Sequence, residues 1–333
     1  MSKSGSVSVA MCTYNGARFL LDQLSSIALQ TRPPDELVIC DDGSTDKTLA
    51  IVTRYAGTVE FPVRVHRNSQ RLGPAKNFEQ ALSLCRGDIV ALSDQDDVWR
   101  PEKLRVLEEA LCVDDAVGYA FSDAVLVDET GRLIHRSLWE RVGFDRSKRI
   151  AFSRGPSGQA EVLFRGNVVT GATMALKAQL RAMIPSVPEL WMHDEWIVLS
   201  CSVMGIRGVP VARPLISYRE HQDQVAGARR PSRLRLIGRS LVGERRTHEA
   251  AVDKWRAAHA VLQQVARKQP DTLALLEGKV AHVALRAGLW RRPRRARVAA
   301  IAAELARGRY HSCSGGLRSA IKDALVSSRS SLA

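Results

Sequence analysis

The chain has 333 residues, of which 45% are hydrophobic and 25% charged. This composition is typical of a globular protein with a sizeable core, and no internal repeat or low-complexity tract stands out. The formal net charge is +14. Residues 229–333 carry 23 Lys and Arg against 7 Asp and Glu, whereas residues 1–228 carry 26 against 28. The positive excess therefore belongs to the last third of the chain, which predicts two units with different partners.

Four strand-like runs alternate with four helical patterns over the first 111 residues. The apolar, β-rich runs cover residues 7–12, 37–40, 63–66 and 89–92. Helical spacing follows them at 20–28, 46–55, 74–85 and 101–111, with Ser44 or Thr45 as the cap of the second helix. This alternation predicts an α/β fold built on a parallel, doubly wound sheet.

Residues beyond 115 follow a less regular pattern. We expect extended segments at 119–127 and 168–176, a loop at 156–158, a helix at 193–204 and short strands at 209–212 and 215–218. After residue 229 the composition shifts to Ala, Leu and Arg with helical spacing. The sequence thus predicts an α/β domain over 1–228 and a basic α-helical extension over 229–333.

The chain lacks the patterns of secreted and membrane-spanning proteins. No uninterrupted apolar run approaches the roughly 18 residues that a spanning helix needs. The polar N-terminus leads directly into a strand, which predicts no signal peptide. The six cysteines form no CxxC pair, which favours a reducing compartment. We therefore expect a cytoplasmic protein, either free or peripheral on the inner face of the cell membrane.

Polar side chains follow three of the predicted strands at their carboxyl ends, where open α/β sheets bind ligands. These clusters are Thr13-Tyr14-Asn15, Asp41-Asp42 and Asp94-Gln95-Asp96-Asp97. Three carboxylates within four residues repel one another unless a cation lies among them, and hard oxygen ligands suit Mg²⁺ or Mn²⁺. A solvated turn is the alternative for the last cluster, and a turn with a helix cap is the alternative for Asp41-Asp42. A nucleotide base is the other candidate partner of Asp41-Asp42.

The order and spacing of these clusters over residues 6–112 resemble those of the family 2 glycosyltransferases. The resemblance rests on Cys12-Thr-Tyr-Asn-Gly16, Gln30-Thr31, Asp41-Asp-Gly-Ser-Thr-Asp46, Gly73-Pro-Ala-Lys-Asn77, Arg86-Gly-Asp88 and Asp94-Gln-Asp-Asp-Val-Trp-Arg-Pro101. The Asp-Gln-Asp-Asp-Val-Trp form is similar to that of the rhamnosyltransferase-like branch. The resemblance implies the GT-A fold, with a Rossmann-like, mostly parallel central sheet and flanking helices.

The resemblance also implies roles for individual residues. Asp96 corresponds to the ligand of a divalent metal, Mg²⁺ or Mn²⁺. Asp42 corresponds to the carboxylate that reads a pyrimidine base. The other residues implied to bind the nucleotide sugar are Thr13, Tyr14, Asn15, Asn77, Asp94, Asp97 and His221. His221 lies in a late loop, where the family places Arg or His against the diphosphate, although the polar residues that follow it here depart from the usual pattern.

Asp194, in the segment Trp191-Met-His-Asp-Glu-Trp196, corresponds to the catalytic base, and Glu195 is the alternative residue for this role. A carboxylate at the first turn of a helix is the alternative interpretation of Asp194. The processive members of the family carry a Gln-x-x-Arg-Trp segment and membrane spans, neither of which we find. We therefore expect the transfer of a single sugar rather than polymerisation.

The implied function is inverting, metal-dependent transfer of one sugar from dTDP-rhamnose or a UDP-sugar. The implied acceptor is a hydroxyl of a glycan or lipid-linked acceptor in cell-surface polysaccharide synthesis. A catalytically silent nucleotide-sugar-binding or scaffold protein on the same fold is one alternative. A nucleotidyltransferase is another, but residues 12–18 do not form the Gly-rich phosphate loop that such enzymes carry.

Arginines are concentrated in two stretches of the C-terminal region, at 229, 230, 233, 235, 239, 245 and 246, and at 291, 292, 294, 295 and 297. An anionic membrane surface is one candidate partner. A helical appendage with a solvated basic face is an equal alternative. We expect no nucleic-acid partner, because no nucleic-acid-binding motif accompanies the charge.

Overall fold

The computed structural model describes residues 5–222, 224, 241–266 and 269–325. Contacts divide the chain into two compact units. The first unit comprises 1–149, 168–201 and 206–228, and the second comprises 150–167, 202–205 and 229–333. The second unit thus also includes two short pieces from the middle of the chain, and the domain limits 1–228 and 229–333 stay a prediction.

The first half of the sheet is wholly parallel, with the strand order β3-β2-β1-β4. Its strands are β1 (Val7–Thr13), β2 (Glu36–Asp41), β3 (Val63–Arg67) and β4 (Ile89–Ser93). The helices between them are α1 (Leu20–Ala28), α2 (Thr48–Ala56) and α3 (Pro74–Leu84). Leu20, Leu24 and Ile27 of α1 are fully buried, because apolar residues at helical spacing lie on the face towards the sheet. The predicted alternation of strands and helices is confirmed.

The second half of the sheet is mixed. It contains β5 (Val98–Trp99), β6 (Val117–Val127), β7 (Leu133–His135), β8 (Met174–Lys177) and β9 (Arg207–Arg219). Strand β8 lies antiparallel between β4 and β6, while β9 runs parallel to β6 and pairs antiparallel with β5. Helices in these later segments are α4 (Lys103–Leu111), α5 (Leu138–Val142), α6 (Arg146–Ser153), α7 (Pro156–Arg165), α8 (Leu180–Met183) and α9 (His193–Val203).

Three predictions about these later segments are wrong. Residues 156–158 begin helix α7 instead of forming a loop, because Pro156 occupies the first turn, where its missing N–H costs nothing. Only the end of the segment 168–176 is a strand, and a 3-10 turn (Gly171–Thr173) precedes it. The two short strands at 209–212 and 215–218 form one strand, β9, whose register shifts where Pro214 interrupts the ladder.

The described part of the second unit is helical, as predicted for the C-terminal region. Its helices after residue 229 are α10 (Leu241–Val265), α11 (Pro270–Gly288), α12 (Arg294–Ala306), α13 (Arg309–Cys313) and α14 (Leu317–Leu325). The Trp255 ring packs edge-on against Phe164 at 5.5 Å between centroids. Buried Lys279 donates to the backbone oxygens of Phe164 and Cys313 at 2.6 and 2.7 Å. Among the described residues, no helix is both long and apolar enough to cross a membrane.

Candidate active site

The loops that follow β1 and β2 are bonded to each other at the carboxyl edge of the sheet. Thr13 Oγ1 donates to Asp41 Oδ2 at 2.8 Å, and both residues are buried. Asp41 also accepts the backbone N–H of Ser44 at 2.8 Å. Asn15 adopts a positive φ of 47°, which Asn tolerates better than most residues, and its Oδ1 accepts the N–H of Thr45 at 2.9 Å. Thr13 and Asn15 therefore lie at the junction of the two loops.

The cap predicted for α2 is wrong, because neither Ser44 nor Thr45 occupies the cap position. The helix begins at Thr48, and Asp46 Oδ1 accepts the Thr48 N–H at 2.9 Å. The Ser44 hydroxyl instead donates to Asp41.

Asp42 and Asn77 belong to one buried network of hydrogen bonds. Asp42 Oδ1 accepts from Asn68 Nδ2 and from the Leu72 N–H at 2.9 and 2.7 Å, and Asp42 Oδ2 accepts from the Gly73 N–H at 2.9 Å. Asn77 Oδ1 accepts from Asn68, and Asn77 Nδ2 donates to the backbone oxygen of Cys40 at 2.9 Å. This network shapes the loop that joins β3 to α3.

A cleft of about 540 Å³ opens over this loop, and Tyr14 and Asp42 form part of its wall. The other lining residues are Gly43, Arg67, Asn68, Ser69, Gln70 and Arg71. The Arg71 guanidinium lies over the Tyr14 ring, 3.9 Å from its centroid. An aromatic face, a carboxylate and two guanidinium groups in one cleft suit a ligand with a hydrogen-bonding ring and negative charge. Asn77 does not line the cleft, and its predicted contact with a donor stays a prediction.

The acidic loop, residues 94–97, follows β4 and contains two carboxyl groups that resist ionisation. Burial raises the pKa of Asp94 to about 7, and the charges of Asp96 and Asp194 add to this shift. Burial likewise raises the pKa of Asp97, with contributions from Asp96 and Asp94. Asp97 Oδ1 accepts from the Arg219 N–H at 3.0 Å, whereas Oδ2 is buried without a hydrogen-bond partner among the described residues. The loop thus crowds carboxyl groups whose charged forms are disfavoured by burial and by mutual repulsion.

Asp96 and His221 meet in this region. His221 Nε2 lies 2.7 Å from Asp96 Oδ2, and both side chains are largely buried. A carboxylate oxygen and an imidazole nitrogen are suitable ligands for Mn²⁺, and Mg²⁺ takes one or two carboxylates together with substrate phosphates. No group of three His, Cys, Asp or Glu side chains in the described residues could itself enclose a metal. The two residues therefore fit a metal whose remaining ligands come from a phosphate-bearing substrate.

Two residues that the sequence interpretation did not assign hold the acidic loop in place. The Gln95 amide accepts from the Tyr14 N–H at 2.9 Å and donates to the Tyr14 backbone oxygen at 3.1 Å. Arg219 is buried, and its Nε donates to the backbone oxygen of Asp96 at 2.8 Å. Gln95 was visible between the aspartates, but only the fold shows that it reaches the loop after β1.

Asp194 lies at the first turn of α9, where it accepts two backbone N–H groups. Gly171 N donates to Asp194 Oδ2 at 3.0 Å, and Glu195 N donates to Asp194 Oδ1 at 2.7 Å. The carboxylate is half-buried. Because its charge contributes to the raised pKa of Asp94, the fold brings these two carboxyl groups into one electrostatic environment although 100 positions separate them in the sequence. These positions would allow Asp94 and Asp194 to face the same bound substrate. They equally allow Asp194 to act only as a carboxylate that stabilises the first turn of α9.

Residues 8–161 match the model of the family described as glycosyl transferase family 2. The match covers a little under half of the chain. The matched region contains the cleft and the acidic loop, whereas Asp194 and His221 lie beyond it.

Several curated glycosyltransferases are similar to the chain. The dTDP-rhamnosyl transferase RfbG of Shigella flexneri is 23% identical to it over 222 residues, which cover 66% of this chain and 74% of RfbG. The alignments with several other curated glycosyltransferases span only about a third of their length.

Two solved structures have a similar fold. S. aureus TarS with UDP-GlcNAc has a TM-score of 0.55 at 16% identity, covering 83% of this chain and 92% of that chain. Mannosyltransferase PcManGT from Pyrobaculum calidifontis, in complex with GDP-Man and Mn²⁺, has a TM-score of 0.53 at 21% identity, covering 98% and 88%. The fold class predicted from the sequence, a GT-A-type α/β fold with a helical C-terminal region, is confirmed.

We expect His193 to make the first unit sensitive to acid. Its ring stacks on Phe78 at 3.9 Å between centroids, and burial lowers the pKa of His193 from 6.5 to about 3. As the pH falls below 6.5, the unfolded chain binds a proton that the folded chain does not, so stability is lost. Replacing the ring by His193→Phe should reduce the loss of Tm between about pH 7.5 and about pH 5.

Thermal unfolding at several pH values measures this effect, with His66→Phe, on an exposed part of β3, as the matched control. Some acid sensitivity should persist in all three proteins, because burial also lowers the pKa of His282 in the second unit to about 4. An equal loss of Tm in the native protein and in His193→Phe would show that His193 does not cause the acid sensitivity.

Proposed function

We propose that the protein is a family 2 glycosyltransferase, inverting and metal-dependent, that moves one sugar from a nucleoside-diphosphate sugar to an acceptor hydroxyl. The observation that carries the proposal is the contact of His221 with Asp96 in the acidic loop, which is also bonded through Gln95 to Tyr14, a residue that lines the cleft. A nucleotide in the cleft and a diphosphate towards the acidic loop would use both parts of this site. Such an arrangement would direct the sugar towards the remaining carboxyl groups.

The donor that the site fits best is a pyrimidine nucleotide sugar, dTDP-rhamnose or a UDP-sugar. Asp42 offers a carboxylate at the cleft wall for a ring N–H, and Tyr14 offers an aromatic face. The similarity to the dTDP-rhamnosyl transferase RfbG supports a deoxysugar, and the UDP-GlcNAc complex of TarS supports uridine as the alternative base. Synthesis of a cell-surface polysaccharide on a glycan or lipid-linked acceptor is part of this proposal.

Asp96 and His221 would hold the Mg²⁺ or Mn²⁺, as the Mn²⁺ in the PcManGT structure supports. A bound divalent cation supplies positive charge against the negative charge that develops on the departing nucleoside diphosphate. The raised pKa values of Asp94 and Asp97 fit a site that needs such a cation, because desolvated carboxylates crowd together there.

Asp194 is the proposed general base. It would accept the proton of the acceptor hydroxyl while that oxygen attacks the anomeric carbon and the bond from that carbon to the diphosphate oxygen breaks. A single displacement inverts the anomeric configuration and needs no covalent intermediate on the protein. Two backbone N–H groups fix the Asp194 carboxylate, which keeps it oriented for proton transfer.

Nucleotide binding tests the donor site and the metal. Thermal-shift measurements with UDP, dTDP, GDP and CDP, each with Mn²⁺, Mg²⁺ or EDTA, should give metal-dependent stabilisation by one pyrimidine diphosphate, since a ligand of the folded state raises Tm. Asp96→Ala should lose that stabilisation. Asp145→Ala, which removes an exposed carboxylate, is the matched control and should retain it. Stabilisation that survives in Asp96→Ala would exclude Asp96 as the metal ligand.

Replacement of the proposed base separates catalysis from binding. Asp194→Asn should reduce sugar transfer by roughly 10²- to 10⁴-fold, the usual contribution of general-base catalysis, while nucleotide binding stays close to native. Release of nucleoside diphosphate and calorimetric binding measure the two quantities. The neighbouring Glu195→Gln is the control and should keep most of the activity. If Asp194→Asn turns over at the native rate, Asp194 is not the base, and donor binding without turnover in the native protein would favour the silent-scaffold alternative.

We also propose that helix α14 attaches the protein to the anionic inner face of the cell membrane. Leu317, Ile321 and Leu325 recur every four residues on one face of α14 and are 59%, 60% and 78% exposed. The exposed charged residues of this helix are Arg318 and Lys322, both basic and each adjacent to the apolar stripe, while Asp323 is buried. An apolar stripe bordered by cations favours anionic lipid.

The charge of the second unit argues against a second copy of the chain as the partner of α14. Arg291, Arg292, Arg294 and Arg295 are also exposed, so two copies would bring like charges together. The arginines at 229, 230, 233, 235 and 239, which also motivated a membrane partner, lie outside the described residues.

Vesicle flotation tests the membrane proposal. The native protein should float with vesicles that contain phosphatidylglycerol and should not float with phosphatidylcholine alone. The triple variant Leu317→Ser, Ile321→Ser, Leu325→Ser should lose binding, whereas Leu133→Ser with Ile134→Ser, exposed on the edge strand β7, should keep it. Native protein that does not float, or a triple variant that floats equally, would overturn the proposal.

A further inference from the structure

Lys103 is a buried amine to which the proposed transfer assigns no role. It begins helix α4 and is 0% exposed. Burial lowers the pKa of Lys103 well below its ordinary value, while the charges of Asp97 and Asp94 oppose that shift. Burying a lysine costs folding free energy unless its amine is bonded. The contacts of this amine therefore indicate what it does.

Lys103 connects two segments that are distant in the sequence. Its Nζ donates to the backbone oxygen of Ala172 at 2.6 Å and lies 3.4 Å from the centroid of the Trp99 ring. Trp99 is two residues beyond the acidic loop, on β5. Ala172 is the central residue of the buried 3-10 turn at 171–173. The amine thus joins the segment that carries the acidic loop to this turn.

The same turn holds Asp194. The Gly171 N–H donates to Asp194 Oδ2 at 3.0 Å. A Cβ atom at Gly171 would lie 2.6 Å from His193 Nε2 and 3.4 Å from Asp194 Cβ, so the turn is in close contact with the start of α9. A displacement of the turn would therefore move the hydrogen bond that orients the Asp194 carboxylate.

We propose that Lys103 is a positioning residue for the base, acting through the turn at 171–173. This inference rests on the proposed function of Asp194. Without the amine, the buried Ala172 carbonyl loses its donor, and an unpaired buried carbonyl is costly enough to shift the turn. The Asp194 carboxylate then loses its alignment with the acceptor oxygen, on which proton transfer depends steeply.

The test compares Lys103→Met with a matched variant of a similar buried lysine. Lys279 also donates to backbone oxygens and lies over a tryptophan ring, that of Trp255, but it belongs to the second unit. Methionine keeps the length of either side chain and removes its amine. Both variants should lower Tm, because each leaves buried carbonyl oxygens without their donor.

Only Lys103→Met should impair catalysis. We expect turnover of the donor, read as release of nucleoside diphosphate, to fall roughly 10- to 100-fold. The Kd for the nucleoside diphosphate with Mn²⁺ should stay within about twofold of native, because the turn contacts Asp194, the proposed catalytic base, and does not line the cleft. Native turnover in Lys103→Met, or a Kd that weakens by the same factor as turnover falls, would overturn the inference. The donor in the turnover assay is dTDP-rhamnose if dTDP stabilises the protein, and UDP-glucose if UDP stabilises it.

Two further variants keep the outcome interpretable. If Asp194→Asn in the same assay keeps native turnover, the proposed base fails and the positioning role fails with it. If Asp194→Asn is inactive while Lys103→Met is native, only the positioning role fails. Should Lys103→Met not fold, Lys103→Arg keeps a donor and a charge in a longer, planar group. Reduced turnover at native Kd in Lys103→Arg supports the inference, and native turnover opposes it.

Discussion

The arrangement of the site depends on one electrostatic constraint, which is that three carboxyl groups lie within four residues at the end of β4. Burial and mutual repulsion raise the pKa values of Asp94 and Asp97, and Asp96 can remain in this position only with a polar partner. That partner is His221, which comes from the segment after β9. The backbone of Arg219 satisfies one oxygen of Asp97, and the other oxygen has no partner in the described chain. The contacts of the loop therefore satisfy only part of its carboxylate oxygens.

The groups that hold this loop are carried by segments far from it in the sequence. Gln95 of the acidic loop forms two hydrogen bonds with the backbone of Tyr14, which lines the cleft. The same side chain therefore holds the acidic loop against the wall of the cleft. Arg219 donates to the backbone of Asp96 from the end of β9, and Lys103 reaches the turn beside Asp194. A change at any of these supports would act on the proposed reacting groups without touching a substrate, since the supports hold those groups in place.

Sequence periodicity predicted the parallel half of the sheet because each strand there is followed by a helix of regular spacing. It failed where proline and glycine have more than one structural role. Pro156 opens a helix within the segment 156–158 that the sequence predicts as a loop, and Pro214 lies where the register of β9 shifts without ending the strand. Carboxylates after strands were recognisable as site candidates. Lys103 was not recognisable as a site candidate, because a lysine in an amphipathic helical pattern is expected to be exposed to solvent. Only the tertiary structure shows that it is buried.

The placement of β9 has a consequence for the order in which the molecule forms. The pairs β1–β2 and β2–β3 are each joined by a single helical crossover, whereas β5 pairs with a strand more than a hundred residues away, as the partnership of Trp99 with Ile216 illustrates. Pairing of distant segments pays a larger loop-closure entropy and is slow. The half of the sheet that carries the cleft can therefore assemble early, during synthesis of the first hundred residues. The acidic loop reaches its final geometry only when β9 has been made, so charge repulsion within the loop is an obstacle that the nascent chain meets before its partners exist.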